Sequence, residues 1–550
     1  MNRTICFFAL IFTVILSACS NSSNKSSSIT ADELLQDIKV IAADSTMGRG
    51  PAAPGIAKAR DYIINQFKEM GIKPGMPDNS YIQDVPVIGQ TTDKSAVLTL
   101  KKNGKTLAKL NYATDFMAMP AGKREMVDIQ NAPLIYVGYG IEAPEQNWDD
   151  FKNTDVKGKI IVVKNDDPSS DPDLFAGKTR LYYGRWGYKY EMAAKKGALG
   201  VLIIHTTPTA GYPWSVVSNS WSSEQFMLPG SIDTISPTQF DGWLTHDRST
   251  ELFNAAGLNL DTMLNAAENR DFQPVPLKGI TASIKLNAQY RKLKMENIVG
   301  TLSGNDPDLK DQYVVFTAHY DHLGVGTPVQ GDSIYNGAVD NASGVSTVLN
   351  LAKAYSNADN SFRRSLLFLI VTGEEKGLLG SQYYANNPTV PAGKISADIN
   401  FDSMNPYGPT KDLVYIGYGR SSIDTVINAE AQKASRVIKP DQFPTEGHFY
   451  RSDQFSFAKV GVPVLYVSSG TDYIGKPEGY GEKIWKNYTD NLYHTVRDEV
   501  DPDWDLTGMA NDANLIYKVG LDIANEDQMM TWKPGDEFEA ARKQSIKEAM

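Results

Sequence analysis

Residues 363–381 read RRSLLFLIVTGEEKGLLGS: an apolar run from Leu366 to Val371, a Thr-Gly break, two adjacent glutamates at Glu374 and Glu375, then a second apolar stretch from Leu378. The run predicts a strand over Ser365 to Thr372, and the last part opens a predicted helix from Leu378 to Ala385. The doublet therefore stands where a strand ends. In an extended segment neighbouring side chains point in opposite directions, so one glutamate can bind a metal ion while the other faces a water molecule.

Working outward, the same order of strand, short polar loop and helix recurs. TAHYDHLG (317–324) closes a predicted strand, Asp311 to Ala318, at His319; NGAVDNASG (336–344) places Asp340 just before a predicted helix, Ser343 to Tyr355. NFDSMNP (400–406) closes the strand Ile395 to Phe401 at Asp402, and YHTVRDE (493–499) carries His494. Further strands are read at Leu413 to Tyr418 and Val462 to Val467, with a closing helix from Asp505 to Ile523. Strands alternating with helices call for an α/β fold, a mostly parallel mixed sheet with helices on both faces. In such sheets ligands bind outside the carboxyl ends of the strands. Taken singly, each residue has a plain explanation: a lone His is usually packed or on the surface, an Asp after a strand is usually a turn residue or cap, and paired glutamates are usually solvated. Their repetition at one end of successive strands makes them a set.

Imidazole and carboxylate are ligands that suit zinc. Two-metal hydrolytic sites hold ions about 3.5–4 Å apart and need a carboxylate that touches both. His319, Asp340, Asp402, His494 and one of Glu374 and Glu375 fit that demand, and the Gly-flanked loop favours Asp340 as the bridge. The remaining glutamate would take a proton from the metal-activated water and hand it to the leaving amine. Asp321, two residues after His319, can accept the imidazole's second N–H and fix its tautomer. His322 stays outside this reading, open to ligation, substrate contact or a structural hydrogen bond.

At 550 residues the chain calls for more than one domain. Its first stretch, MNRTICFFALIFTVILSAC, has a basic start at Arg3, an apolar run from Ile5 to Leu16 and small residues before Cys19. This is a secretory signal shape, and Leu16-Ser17-Ala18-Cys19 resembles the bacterial lipobox. That resemblance implies a signal peptide over 1–19, export, and a lipidated Cys19 as the sole membrane contact, on the periplasmic or surface face of an envelope membrane. Residues 20–29, rich in Ser and Asn, read as a flexible tether. Cys6 and Cys19 are the only cysteines, so the mature body has no thiol for a disulfide or a thiolate metal site. The net charge of -11, without a dense basic block, excludes nucleic acid as a partner.

Thr30-Ala31-Asp32-Glu33 has the capping-box form and opens a helix through Ile41. A second helix, Ile56 to Met70, has apolar positions at helical spacing and Gly71 at its end. These belong to an N-terminal section, 30–110. From Asn111 short strands and turns take over: APLIYVGYGI (132–141), VKGKIIVVKND (156–166), one helix at Tyr188 to Lys196, then GALGVLIIHTT (197–207). Their spacing resembles a protease-associated domain inserted over 111–286, in which His205 and His246 suit packing or surface roles. The catalytic section is 287–550.

Taken together, TAHYDHLG, GDSIYNGAVDNASG, RRSLLFLIVTGEEKGLLGS, INFDSMN, YRSDQFSFAKVGVP and YHTVRDEVD resemble the co-catalytic di-zinc aminopeptidase family of clan MH, which also contains the glutamate carboxypeptidases. The resemblance implies a zinc exopeptidase fold and two zinc ions per chain. His319 and Asp402 would hold one ion, Glu375 and His494 the other, and Asp340 would bridge them. It also implies that Glu374 is the general base, that Asp321 orients His319, and that peptides are the substrates. YRSDQFSFAKVGVP resembles a segment near the family's substrate cleft, so His448, Tyr450 and Arg451 are expected to line it, while packing and helix capping explain Ser452 and Asp453 equally well. One departure is a long loop, Ile474 to Asn491, where the family often has a short Gly-x-His segment. Three other readings stand beside an aminopeptidase: a carboxypeptidase or dipeptidase of the same clan, a glutaminyl cyclase, against which the full ligand set argues, and a catalytically silent peptide-binding lipoprotein.

Overall fold

The computed structural model describes residues 28–229, 238–358 and 361–550. The signal peptide, Cys19 and most of the tether lie outside the described residues. Among those described, no helix is long and apolar enough to cross a membrane.

Ser365–Val371 pairs in parallel with Tyr313–His319 and antiparallel with the end of a long strand, Val275–Leu302. Beyond Tyr313–His319 come Ile395–Phe401 and Val464–Ser468, both parallel, and then Asp412–Ile416, antiparallel. The centre of this sheet is thus parallel and its flanks are antiparallel. Its strands read as near-continuous apolar runs because both faces are covered. Val314, Phe316, Leu366, Phe368 and Ile370 face one core, while Val315, Leu367, Leu369 and Val371 face another. Each such Leu or Phe contributes about 1.5–3 kcal/mol on burial.

The first core is closed by Ala31–Ile41, Ile56–Met70, Gly344–Ser356, Ile423–Lys433 and Thr507–Asn525. The second is closed by Leu379–Asn386 through Tyr384 and by Gln454–Lys459 through Phe455 and Phe457. The Thr30 capping box forms with both of its hydrogen bonds, and Gly71 ends Ile56–Met70 in the left-handed region at φ 77°.

A second sheet has its own core, from Ala96 to Leu286. Met126–Tyr136, Ile160–Lys164, Gly200–Ile204 and Phe240–Leu244 pair in parallel, and the remaining ladders are antiparallel. Two differences from the sequence reading arise. Val97–Lys102 and Lys105–Asn111 belong to this sheet, so the unit begins before Asn111, because Leu98, Leu100 and Leu110 are buried in its core. It also holds further short helices, among them Trp214–Ser222 and His246–Ala255, too short to show a clear period. The long strand changes sheet between Asn287, paired with Met126, and Ala288, paired with Thr92.

Candidate metal centre

The expected residues meet at the carboxyl edge of the parallel strands. His319 is the last residue of its strand, Asp402 follows Phe401, and the glutamates follow Val371 after Gly373, which takes φ 69°. Asp340 sits between Gly337 and Gly344. A Cβ on Gly344 would stand 2.2 Å from Asn341 Oδ1 and 2.4 Å from Phe401 O, so only glycine allows this close approach. Asn341 ties the loop to the next strand by donating to Phe401 O at 2.8 Å; the Asp340–Asn341 peptide is cis.

The two oxygens of Asp340 divide between two imidazoles. Oδ1 lies 3.3 Å from His319 Nε2, and Oδ2 lies 3.3 Å from His494 Nε2. His319 Nε2 is also 3.3 Å from Asp402 Oδ1, and His494 Nε2 is 3.0 Å from Glu375 Oε2. Ligands bound tetrahedrally at about 2.0 Å stand roughly 3.3 Å apart, so these separations suit donors gathered around a common point. His494 agrees: Nδ1 is buried without a hydrogen bond in the protein, and Nε2 has only the carboxylate oxygens of Asp340 and Glu375 beside it. His494 also takes a left-handed φ of 57°, a strain of about 1–3 kcal/mol of the kind that functional sites retain.

Burial opposes charge throughout, yet the partners override it. Asp402 and Glu374 hold His319 well above the ordinary imidazole range, and Glu375 raises His494 to about 10. His319 and His494 hold Asp340 well below the usual carboxylate range, and His494 brings Glu375 down to about 2. Glu374 goes the other way: burial, reinforced by Asp402 and Glu375, pushes it well above the usual value. Glu374 lines the open cleft, whereas the Glu375 side chain is only 3% exposed. The donor set is nitrogen and oxygen without thiolate, rich in carboxylate, and fits zinc or a similar divalent cation.

Residues 297–517 match the family described as Peptidase family M28. Over that segment the chain carries a Peptidase family M28 domain. Among curated relatives, "Leupeptin-inactivating enzyme 1" of Streptomyces exfoliatus is 32% identical over 179 residues, which cover 32% of this chain and 36% of that protein. "Probable leucine aminopeptidase 2" of Aspergillus fumigatus is 29% identical over 209 residues, covering 36% of this chain and 38% of that one. The chain thus spans little more than a third of the length of these relatives. Among solved structures, an aminopeptidase from Aneurinibacillus sp. strain AM-1 is similar over 92% of this chain and 97% of that one, with a TM-score of 0.51 and 18% identity, a likeness of fold.

Within the M28 domain several placements differ from the sequence reading. The group nearest His319 Nδ1 is the main-chain oxygen of Asp321, at 3.2 Å, while the Asp321 carboxylate stands 3.9 Å away and accepts from Glu374 N–H at 3.2 Å. The residue orients the imidazole through its backbone because its side chain turns toward the glutamate loop. His322, set aside in the sequence, has Nδ1 2.6 Å from Glu375 Oε1, and its ring meets His494 edge-on. Ligand atoms converge in two groups, His319 with Glu374 and Asp402, and His322 with Asp340 and Glu375.

Two buried residues that the motifs left without a role brace the M28 site. Asp498 accepts from the N–H groups of Val339 and Asp340, at 2.9 and 3.0 Å. Arg49 donates to Tyr320 O, Ile41 O, Asn336 O and Gly337 O, tying both metal loops to the N-terminal helix. The invariable charge of Arg suits a site that faces so many carboxylates. The His-Thr-x-x-Asp spacing of 494–498 was a visible signal for Asp498; for Arg49 there was only its place between Gly48 and Gly50.

The cleft opens beside Glu374, Asp340 and Asp402. His448, Arg451 and Ser452 line it. Tyr450 does not: its hydroxyl donates to Glu537 at 2.7 Å and its ring packs in the second core. Ser452 does more than pack, since its hydroxyl donates to Asp402 Oδ2 at 2.6 Å. The stretch read as a loop, 474–491, contains a helix, Tyr480–Asn491, which gives Ile484, Trp485 and Tyr488 to the wall. Gly211 of the β-rich unit lines the same cleft. His205 packs against Trp214 and Trp243, and His246 is exposed, as their sequence contexts imply.

Proposed function

We propose that the chain is an exported, lipid-anchored aminopeptidase that uses two zinc ions to remove N-terminal residues from peptides. The observation that carries the reading is the division of Asp340, one oxygen toward His319 and the other toward His494, each at 3.3 Å. On this reading His319 and Asp402 would hold one ion and Glu375 and His494 the other, Asp340 would serve both, and His322 steadies Glu375. Zinc bound there would polarise the scissile carbonyl and lower the pKa of a water. Asp321 O accepts the Nδ1 proton of His319 and so keeps Nε2 free as a ligand atom. Glu374, on the open side of the doublet, takes the proton from the attacking water and returns it to the leaving amine. The aminopeptidase names of the relatives support the direction of attack, and the β-rich unit is read as a protease-associated domain.

Zinc analysis of the purified protein should give about two ions per chain. Glu374→Gln should retain both and lose peptide hydrolysis by at least about 10²-fold; a fully active variant would sink the mechanism. Peptides blocked at the amino end should resist cleavage and those blocked at the carboxyl end should not, the reverse marking a carboxypeptidase. Cys19→Ser should move the protein from the membrane fraction to the soluble one.

A further inference from the structure

Arg451 is the only Lys or Arg among the described residues that line the cleft. Its guanidinium rests on the ring of Tyr212 from the β-rich unit, 5.4 Å from the centroid, and its Nη1 reaches Glu446 O only at 3.4 Å. The nearby carboxylates Asp441 and Glu446 are engaged by His448, at 3.1 and 3.2 Å. Arg451 therefore has no carboxylate at ion-pair distance among the described residues.

The turn that leads into Arg185 packs against the segment that carries Arg451, Tyr182 lying 6.4 Å from the ring of Tyr450. Arg180 N–H donates to Pro444 O at 2.9 Å, and Tyr182 packs against Phe455 at 5.5 Å, which fixes the turn preceding Arg185 against the segment that carries Arg451. Burial and the proximity of Arg451 lower Arg185 to about 10, which leaves it charged. Two like charges held together in a partly buried place are costly unless an anion joins them. The planar fork of Arg matches a carboxylate bidentately.

We propose that Arg451, backed by Arg185 of the β-rich unit, is a carboxylate subsite, and that the favoured substrates are peptides with a carboxylate close to the scissile bond. This rests on the peptidase reading and names its substrate class. The carboxylate is either the free C-terminus of a very short peptide or an acidic side chain.

The test is calorimetric binding to the zinc-loaded Glu374→Gln protein, which separates recognition from turnover. Leu-Ala is compared with Leu-Ala amide, and Glu-Leu amide with Gln-Leu amide. At least one acid should bind about ten-fold more tightly than its neutral twin; the first pair would identify a main-chain carboxylate and the second a side chain. Adding Arg451→Gln should abolish that preference, Arg451→Lys should keep part of it, and Arg185→Gln should weaken it. Equal binding within both pairs, or a preference that survives Arg451→Gln, would overturn the subsite. Loss of the peptidase reading has another signature: a carboxylate preference in binding with no hydrolysis by the unaltered enzyme, which would uphold the subsite and reject the activity.

Discussion

Arg49 shows how much a single buried side chain can carry. It satisfies four main-chain carbonyls, and Arg49→Met would leave them without donors in a site closed to water. Each orphaned group costs about 1–3 kcal/mol, so urea unfolding of the metal-free protein should show a loss of at least about 3 kcal/mol. Asp498→Asn turns an N–H toward one of the two amides it now accepts from; the expected result is weaker zinc retention against a chelator, with the fold kept by circular dichroism. At this scale the sequence was legible where chemistry and strand ends coincide, as for His319, Asp340, Glu374, Glu375, Asp402 and His494. It was silent where a role depends on distant partners: Arg49 reaches across 271 residues to Tyr320 and 288 to Gly337. His322 was missed because an imidazole on a loop has no periodicity to betray which way it faces.

Among the elements, the helix Tyr480–Asn491 sets the shape of the cleft. Gly479 and Gly481 frame its start and it lacks a side-chain cap, which is why its composition reads as loop; the spacing of Ile484, Trp485 and Tyr488 was the available signal. Trp485→Ala should raise KM for peptides with a bulky N-terminal residue more than for those with alanine, in a panel of aminoacyl substrates. This helix is pinned to the 441–448 segment, since Trp485 stacks on Phe443 at 5.4 Å and meets His448 edge-on. Burial works against a charge on His448, but Asp441 and Glu446 raise its pKa to about 9. A folded-state pKa above the unfolded value of about 6.5 means that the stabilisation is complete below pH 6.5 and is lost as pH rises through 9. Thermal scans from pH 6 to 10 should show that fall, and His448→Gln should flatten it. Most strand and helix boundaries were readable within a few residues because both faces of the parallel sheet are buried, which makes its strands unbroken apolar runs. The short helices of the second sheet were not, being held by contacts rather than by their own period.

For the whole molecule, the cluster of buried carboxylates around Asp340 should make the fold depend on the proposed zinc. Chelation should lower Tm by several degrees, and added zinc should restore it, because an ion bound only by the native state stabilises it by mass action. The two sheets and their cores are joined through Val275–Leu302, so melting followed by calorimetry should give one cooperative transition instead of two. Two further strands flank the junction, joined by a short turn: Thr92, at the end of Ile82–Thr92, is paired with Ala288, and Val97, at the start of Val97–Lys102, with Lys285. Such a ladder should act as a beam that resists swinging of the β-rich unit. If the opening that Gly211 helps to frame keeps its width, a peptidase working there would sort its substrates as a sieve does, by what can pass.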